Sequence, residues 1–373
     1  MGRKTEVPIT SAVLDWAIGE SGLSLSELAT GVGVDEQDVL AWRSGDAKPA
    51  ISELRRLATK LHRQVAVFLL PGIPESQHLH VEFRHPIGAQ RARDLTPGER
   101  RFLRRAKRLQ DAQAWLVAEL DREPPDMPQV LVGSDPTSIA SDWRERVGVS
   151  IPTQLAWRSA SVGFDAWRNV VETLGITVVQ FSMGSKACRG FSLWNDSSPL
   201  IAVNTAWTDE ARSFTLFHEF GHLLTRTDSA CASAPVTPNA GDSTERWCEA
   251  FAAAVLIPTN ALVDVRRVET LTALSSLARR FKTSLRATAL RLIGLGKSPW
   301  SLYDSIPPVS DSKKTGGGGT GRNRREIRED EFGRRTTEMF VSAVRREIIS
   351  ESQALDYLDI PSSEFERLTA AVR

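Results

Sequence analysis

The pattern His218-Glu219-Phe-Gly-His222 sits inside an otherwise apolar run, Phe214 to Leu224, and constrains the chain more than any other stretch. Residues four apart stack one turn above each other on one face of an α-helix, so the imidazoles of His218 and His222 can converge on a single metal ion. Glu219, one residue after the first histidine, tilts its carboxylate towards the open coordination position, where it can take a proton from water. Asp209 and Glu210 stand where such a helix begins and favour its N-terminus, while Phe214, Phe217, Gly221 and Leu224 supply a closely packing apolar back. The alternative is a buried amphipathic helix with two hydrogen-bonded histidines. The other histidines, His62, His78, His80 and His85, lie far upstream, so the third ligand is expected to be a carboxylate.

A chain of 373 residues has room for two or three domains, and a net charge of +1 argues against a whole-molecule field for nucleic acid or membrane. Cys188, Cys231 and Cys248 form an odd set without C-x-x-C spacing, which fits reduced thiols better than a disulfide framework. The N-terminus runs into a polar helix, and no stretch approaches eighteen apolar residues. These features predict a soluble, cytoplasmic protein with no membrane partner. The fold class they predict is multidomain α+β: an all-α helix-turn-helix bundle over 1–75, a basic connecting helix over 76–125, a metal domain with a small sheet over 126–300, a flexible linker over 301–325 and a short helical segment over 326–373.

In the first of these, Ser24 and Glu27 form a capping box before Leu25, Leu28 and Ala29, Gly31 to Val34 turn the chain, and a second helix runs from Asp35 to Arg43. Glu27-Leu-Ala, Trp42-Arg-Ser-Gly45, Pro49 and Leu54 to Ala58 together resemble the XRE (lambda-repressor-like) helix-turn-helix family. The resemblance implies DNA as a partner, but the second helix opens on Asp35, Glu36 and Asp38, whose charge repels phosphate. Gln37 and Arg43 are the plausible base or phosphate contacts there; docking to a protein is the alternative. Downstream, Arg100, Arg101, Arg104, Arg105, Lys107 and Arg108 recur at helical spacing. Of these, Arg101, Arg104, Arg105 and Arg108 are the candidates for a phosphate-contacting stripe, against the simpler reading of a solvated helix face.

The metal domain reads as helical core positions from Trp143 to Leu174, then strands at Ile176–Phe181, Gly190–Trp194 and Leu200–Asn204 that deliver the chain into the His-Glu-x-x-His helix. A small sheet beside such a helix resembles the zincin arrangement. Thr225 to Thr244 reads as loop, and a further helix follows with Glu245 and Glu249 on one face; either carboxylate could complete the metal site.

Arg212 to Leu224, then Glu245 six residues before Phe251-Ala-Ala, then Leu256-Ile-Pro258, resemble the ImmA/IrrE family of metallo-endopeptidases. The resemblance covers Pro128 to Leu295 and maps the family's third ligand onto Glu245. Where the family commonly has Ala-Asn this chain has Cys248-Glu249, so Glu249 stays the alternative. Implied are zinc as cofactor, with manganese as the alternative, a gluzincin-like endopeptidase activity with Glu219 as the base, and a protein substrate. A helix-turn-helix repressor, cleaved in stress, mobile-element or phage-linked regulation, is the substrate class the family implies. Competing readings are a DNA-binding XRE-type regulator whose metal domain senses or docks without turnover, and an antitoxin-like module. A sensor needs the ligands but has no use for the base, so Glu219 favours the protease. Leu271 to Leu295 reads as a short helical pair for packing or substrate docking, and the segment from Phe332 to Val372 as two or three amphipathic helices.

Overall fold

The computed structural model describes residues 5–74, 95–227, 229–231, 243–307 and 324–371. The histidines His78, His80 and His85, and the glycine run Gly316–Gly319 with Lys313 and Lys314, lie outside the described residues. The chain divides into two compact units: the described residues up to 74 together with 95–105, and the described residues from Ala106 on.

The first unit contains α1 (Ser11–Ser21), α2 (Leu25–Val32), α3 (Glu36–Ser44), α4 (Ile51–Leu61) and the first turns of α5 (Pro97–Glu119). Ser24 and Glu27 make the reciprocal cap at the start of α2, with Glu27 N–H donating to Ser24 Oγ (3.2 Å) and Ser24 N–H to Glu27 Oε2 (2.9 Å). Leu14, Leu28, Val39, Trp42, Leu54, Leu57 and Phe68 close the core between the helices.

The second unit holds the rest of α5, then α6 (Pro136–Arg146), α7 (Ile151–Leu155) and α8 (Ala160–Thr173). The strands β1 (Thr177–Phe181), β2 (Gly190–Leu193) and β3 (Leu200–Asn204) follow, then α9 (Asp209–Thr225), β4 (Ser229–Cys231), α10 (Ser243–Leu256), α11 (Leu271–Phe281), α12 (Leu285–Gly294) and α13 (Trp300–Asp304). The sheet order is β1-β3-β2-β4, with β1 parallel to β3 and the other neighbours antiparallel. Every residue of β1, β2 and β3 is buried, including the polar Thr177, Gln180, Ser192 and Asn204 among the apolar side chains. β4 lies in a stretch that the sequence presents as loop. Its pairing to β2 is made by backbone groups, and a three-residue strand has no side-chain period to announce it.

The metal helix is covered on all sides rather than only at its back. Every residue of α9 from Ala211 to Thr225 except Phe214 is buried, with β2 and β3 on one side and α8 and α10 on the other. Trp143 meets Phe220 edge to face at 5.0 Å, and Trp167 meets Phe217 at 4.9 Å. Two glycines permit this approach. A Cβ at Gly221 would lie 3.0 Å from Cys248 Sγ on α10, and one at Gly190 would lie 2.5 Å from Thr215 Cγ2 and 2.7 Å from the Ala202 carbonyl. Cys248 and Cys188 are buried and reduced.

The C-terminal segment forms α14 (Arg324–Arg345), broken at Gly333, α15 (Glu351–Leu358) and α16 (Ser362–Ala371). It belongs to the second unit, with α14 against β1 and α8. Arg168 and Glu172 on α8 form an ion pair at 2.9 Å with each side chain 6% exposed. Arg168 also donates to the carbonyls of Asp330 and Val178, both at 2.5 Å, and the Arg335 N–H donates to Glu172 (3.3 Å). Gln180 of β1 donates to the same Asp330 carbonyl (2.8 Å) and accepts from Arg212 of α9. Among the described residues, no helix is long and apolar enough to cross a membrane.

Candidate metal centre

Thr208 caps α9, accepting from the Ala211 N–H at 3.4 Å, and Asp209 and Glu210 occupy its first turn, where the helix dipole favours them. Further along the helix and one turn apart, His218 and His222 come together, with His218 Nε2 3.2 Å from His222 Nε2. Glu245, in the first turn of α10, reaches across: its Oε2 is 3.2 Å from His218 Nε2 and its Oε1 is 3.3 Å from His222 Nε2. The three donors lie within 4.8 Å of one another. Glu219 is fully buried on the same helix, and Gly190 of β2 passes so close that its Cβ would stand 3.5 Å from Glu219 Cγ.

Two imidazole nitrogens and one carboxylate converging on a point fit a zinc-type ion, which takes N and O donors and keeps a fourth position when three are protein-borne. His222 Nδ1 is 2.9 Å from Thr227 Oγ1, so with Nδ1–H donating to that hydroxyl the Nε2 lone pair faces the other donors. Thr227 and Gly190 are positioning residues that carry no sequence signal of their own: one lies just past the helix, and the other reads as an ordinary strand terminus.

The three carboxylates differ in reach and charge. Burial works against a charged His218, but its hydrogen bond to Glu245 and the charges of Glu245, Glu219 and Glu249 outweigh that and push it up to about 9. Burial alone would raise Glu245, yet its hydrogen bonds to His218 and His222 and their charges hold it well below the usual carboxylate range. Glu249, one turn along α10, lies outside the converging group; burial pushes its carboxyl up, His218 counteracts this, and Glu245 adds to it.

Two expectations follow for metal uptake. Glu245→Ala should lose more bound zinc than Glu249→Ala, read by elemental analysis after dialysis; the reverse order would move the third ligand to Glu249. With His218 near 9, the metal-free protein holds a proton on the pair at neutral pH, and an imidazole must give that proton up to ligate. Zinc affinity should therefore rise with pH up to about 9 and level off above it, and near neutrality binding should release about one proton per ion. Calorimetry in buffers of different ionisation heat measures this, and a heat that does not depend on the buffer would contradict it.

The candidate nucleic-acid contacts differ in their surroundings. Gln37 is exposed on α3, and Arg43 is ion-paired to Asp15. Arg104 donates to the Glu20 carbonyl at 2.7 Å, and burial, with the charge of Arg63 second, pushes its guanidinium down to about 10. Arg101 stacks on Phe102 and, like Arg105, is half-buried, whereas Arg108, in the second unit, donates to the Asp356 carbonyl. On α9, Arg212 pairs with Asp209 and lies over Phe164.

Residues 171–292 match the family model described as the IrrE N-terminal-like domain, Peptidase_M78. This stretch is similar to a metallopeptidase domain. The Peptidase_M78 match runs from the end of α8 to α12 and includes all four donors and bases of the centre, His218, Glu219, His222 and Glu245, in a span narrower than the Pro128 to Leu295 of the sequence resemblance. It supports the ImmA/IrrE resemblance for this domain and says nothing of the helices before it. No curated protein and no solved structure matches the chain.

Proposed function

We propose that the protein is a zinc-dependent endopeptidase that cuts one specific cytoplasmic protein, with a helix-turn-helix repressor as the substrate class and stress, mobile-element or phage-linked regulation as the setting. The observation that carries this reading is the convergence of His218, His222 and Glu245 beside the buried Glu219, within a stretch similar to a peptidase domain. A divalent cation held by those three side chains would polarise the scissile carbonyl and acidify water at its open position. Glu219 takes the proton from the attacking water and returns it to the leaving nitrogen. Thr227 fixes the ring of His222, and the packing of α9 between sheet and helices keeps the whole set in one geometry.

The test is incubation of the full chain with a purified helix-turn-helix repressor, with and without chelator. Cleavage at a single bond that stops with chelator and returns with zinc is expected, and manganese added in place of zinc distinguishes the two metals. Cleavage that persists with the metal stripped would end the metallopeptidase reading.

A further inference from the structure

Between α6, the start of α7 and the C-terminal end of α10 lies a groove of about 570 Å³, sharing no residue with the metal centre, whose walls include Thr137, Ser141, Thr259 and Asn260. Small-molecule sites span roughly 300–1,000 Å³. Arg144 lines it while only 7% exposed. Its Nη1 donates to Gln154 Oε1 (2.8 Å) and the Val255 carbonyl (2.7 Å), and its Nη2 to the Val149 carbonyl (2.9 Å). All three acceptors are neutral. A guanidinium has five N–H donors, so two remain. The guanidinium carbon also lies 5.3 Å from the centre of the Trp167 ring, and none of the guanidinium nitrogens is a buried atom without a partner.

Burying a cation without a counter-charge is costly. Burial pushes the Arg144 guanidinium down to about 10, with no carboxylate offsetting it, so it is still charged at neutral pH. Behind the same wall sits a second buried cation: Arg291, also 7% exposed, donates to Thr259 Oγ1 (2.8 Å), Thr137 Oγ1 (3.4 Å) and the Ile257 carbonyl (2.9 Å), with the charge of Asp135 partly offsetting its burial. Glu145 is the one acid along the groove, and it lies exposed. The result is a hydroxyl-rich concavity with positive charge at its floor.

We propose that this groove binds a small organic anion, its carboxylate or phosphate on Arg144 and its neutral body among Thr137, Ser141, Thr259 and Asn260. The proposal does not depend on the peptidase reading, and its test does not use activity. The melting temperature of the full chain is followed against rising sodium phosphate and, separately, sodium succinate, each compared with sodium chloride at matched ionic strength. A saturable rise above the chloride control is expected with one or both anions, and which anion gives it identifies the headgroup. Replacing Arg144 would break three internal hydrogen bonds and could unfold the domain. Ser141→Glu instead puts a carboxylate on the exposed wall; it should fold with wild-type circular dichroism and zinc content yet lose the saturable rise, while Ser141→Thr keeps it. No rise above chloride with either anion, or an equal rise in wild type and Ser141→Glu, would overturn the proposal.

Discussion

Glu219→Gln should retain bound metal and wild-type thermal stability while losing cleavage by about two to four orders of magnitude, the usual contribution of a general base. Glutamine is nearly isosteric with glutamate, and Glu219 is not among the three converging donors, so the substitution leaves His218, His222 and Glu245 undisturbed. What it removes is the proton acceptor. The variant should still bind its substrate and so retain it in pull-down experiments. Elemental analysis, circular dichroism and single-turnover cleavage read the three properties separately. Equal cleavage by wild type and variant would remove Glu219 from the mechanism and leave the non-catalytic regulator as the better reading.

Arg168→Leu should destabilise the second unit by about 3–5 kcal/mol, because it leaves Glu172 buried without its cation. The pair is 6% exposed on both sides, and Arg168 also holds the carbonyls of Asp330 and Val178, so little water is available to take its place. Burial already pushes the Glu172 carboxyl up even with Arg168 and the Arg335 N–H opposing it. Removing the guanidinium raises it further. A carboxyl raised in the folded state costs stability wherever it must ionise to fold, above its folded pKa, and costs nothing once it is protonated in both states. The deficit of Arg168→Leu should therefore be larger near pH 8 than near pH 5, and Arg168→Leu/Glu172→Leu should recover most of it. Urea unfolding at the two pH values measures both effects. A single variant as stable as the double near pH 8 would show that the charge pair is not what holds this region.

How much could be read from the sequence differs with the range of the interaction. The four-residue spacing of His218 and His222 is a local property of the helix and leads directly to the 3.2 Å approach of their rings. β-branched residues mark β1 and β3, whereas β2 is marked by its aromatic Phe191, and all three strands are buried along their whole length. Glu245 and Glu249 share a face of α10, so spacing alone leaves them equivalent; only the packing of α10 on α9, through Gly221 and Cys248, decides which carboxylate reaches the rings. Thr227 and Gly190 act through contacts that no local pattern encodes. The same holds for the arginines of α5: their spacing is visible, but whether a guanidinium meets solvent or, as with Arg104, a carbonyl of another helix is settled by tertiary packing.

The docking of α14 along β1 bears on how the chain tolerates shortening. β1 is an outer strand of the sheet, paired only with β3 among the described strands, and an uncovered outer strand is a template for pairing with other chains. Here the Val178 carbonyl is taken up by Arg168, while Gln180 and Arg168 both grip the backbone of α14 at Asp330. A chain ending before Arg324 would keep every residue of the metal centre and lose the helix packed against that strand. Such a truncated protein would pass for an intact peptidase domain by its motif and fail by aggregation.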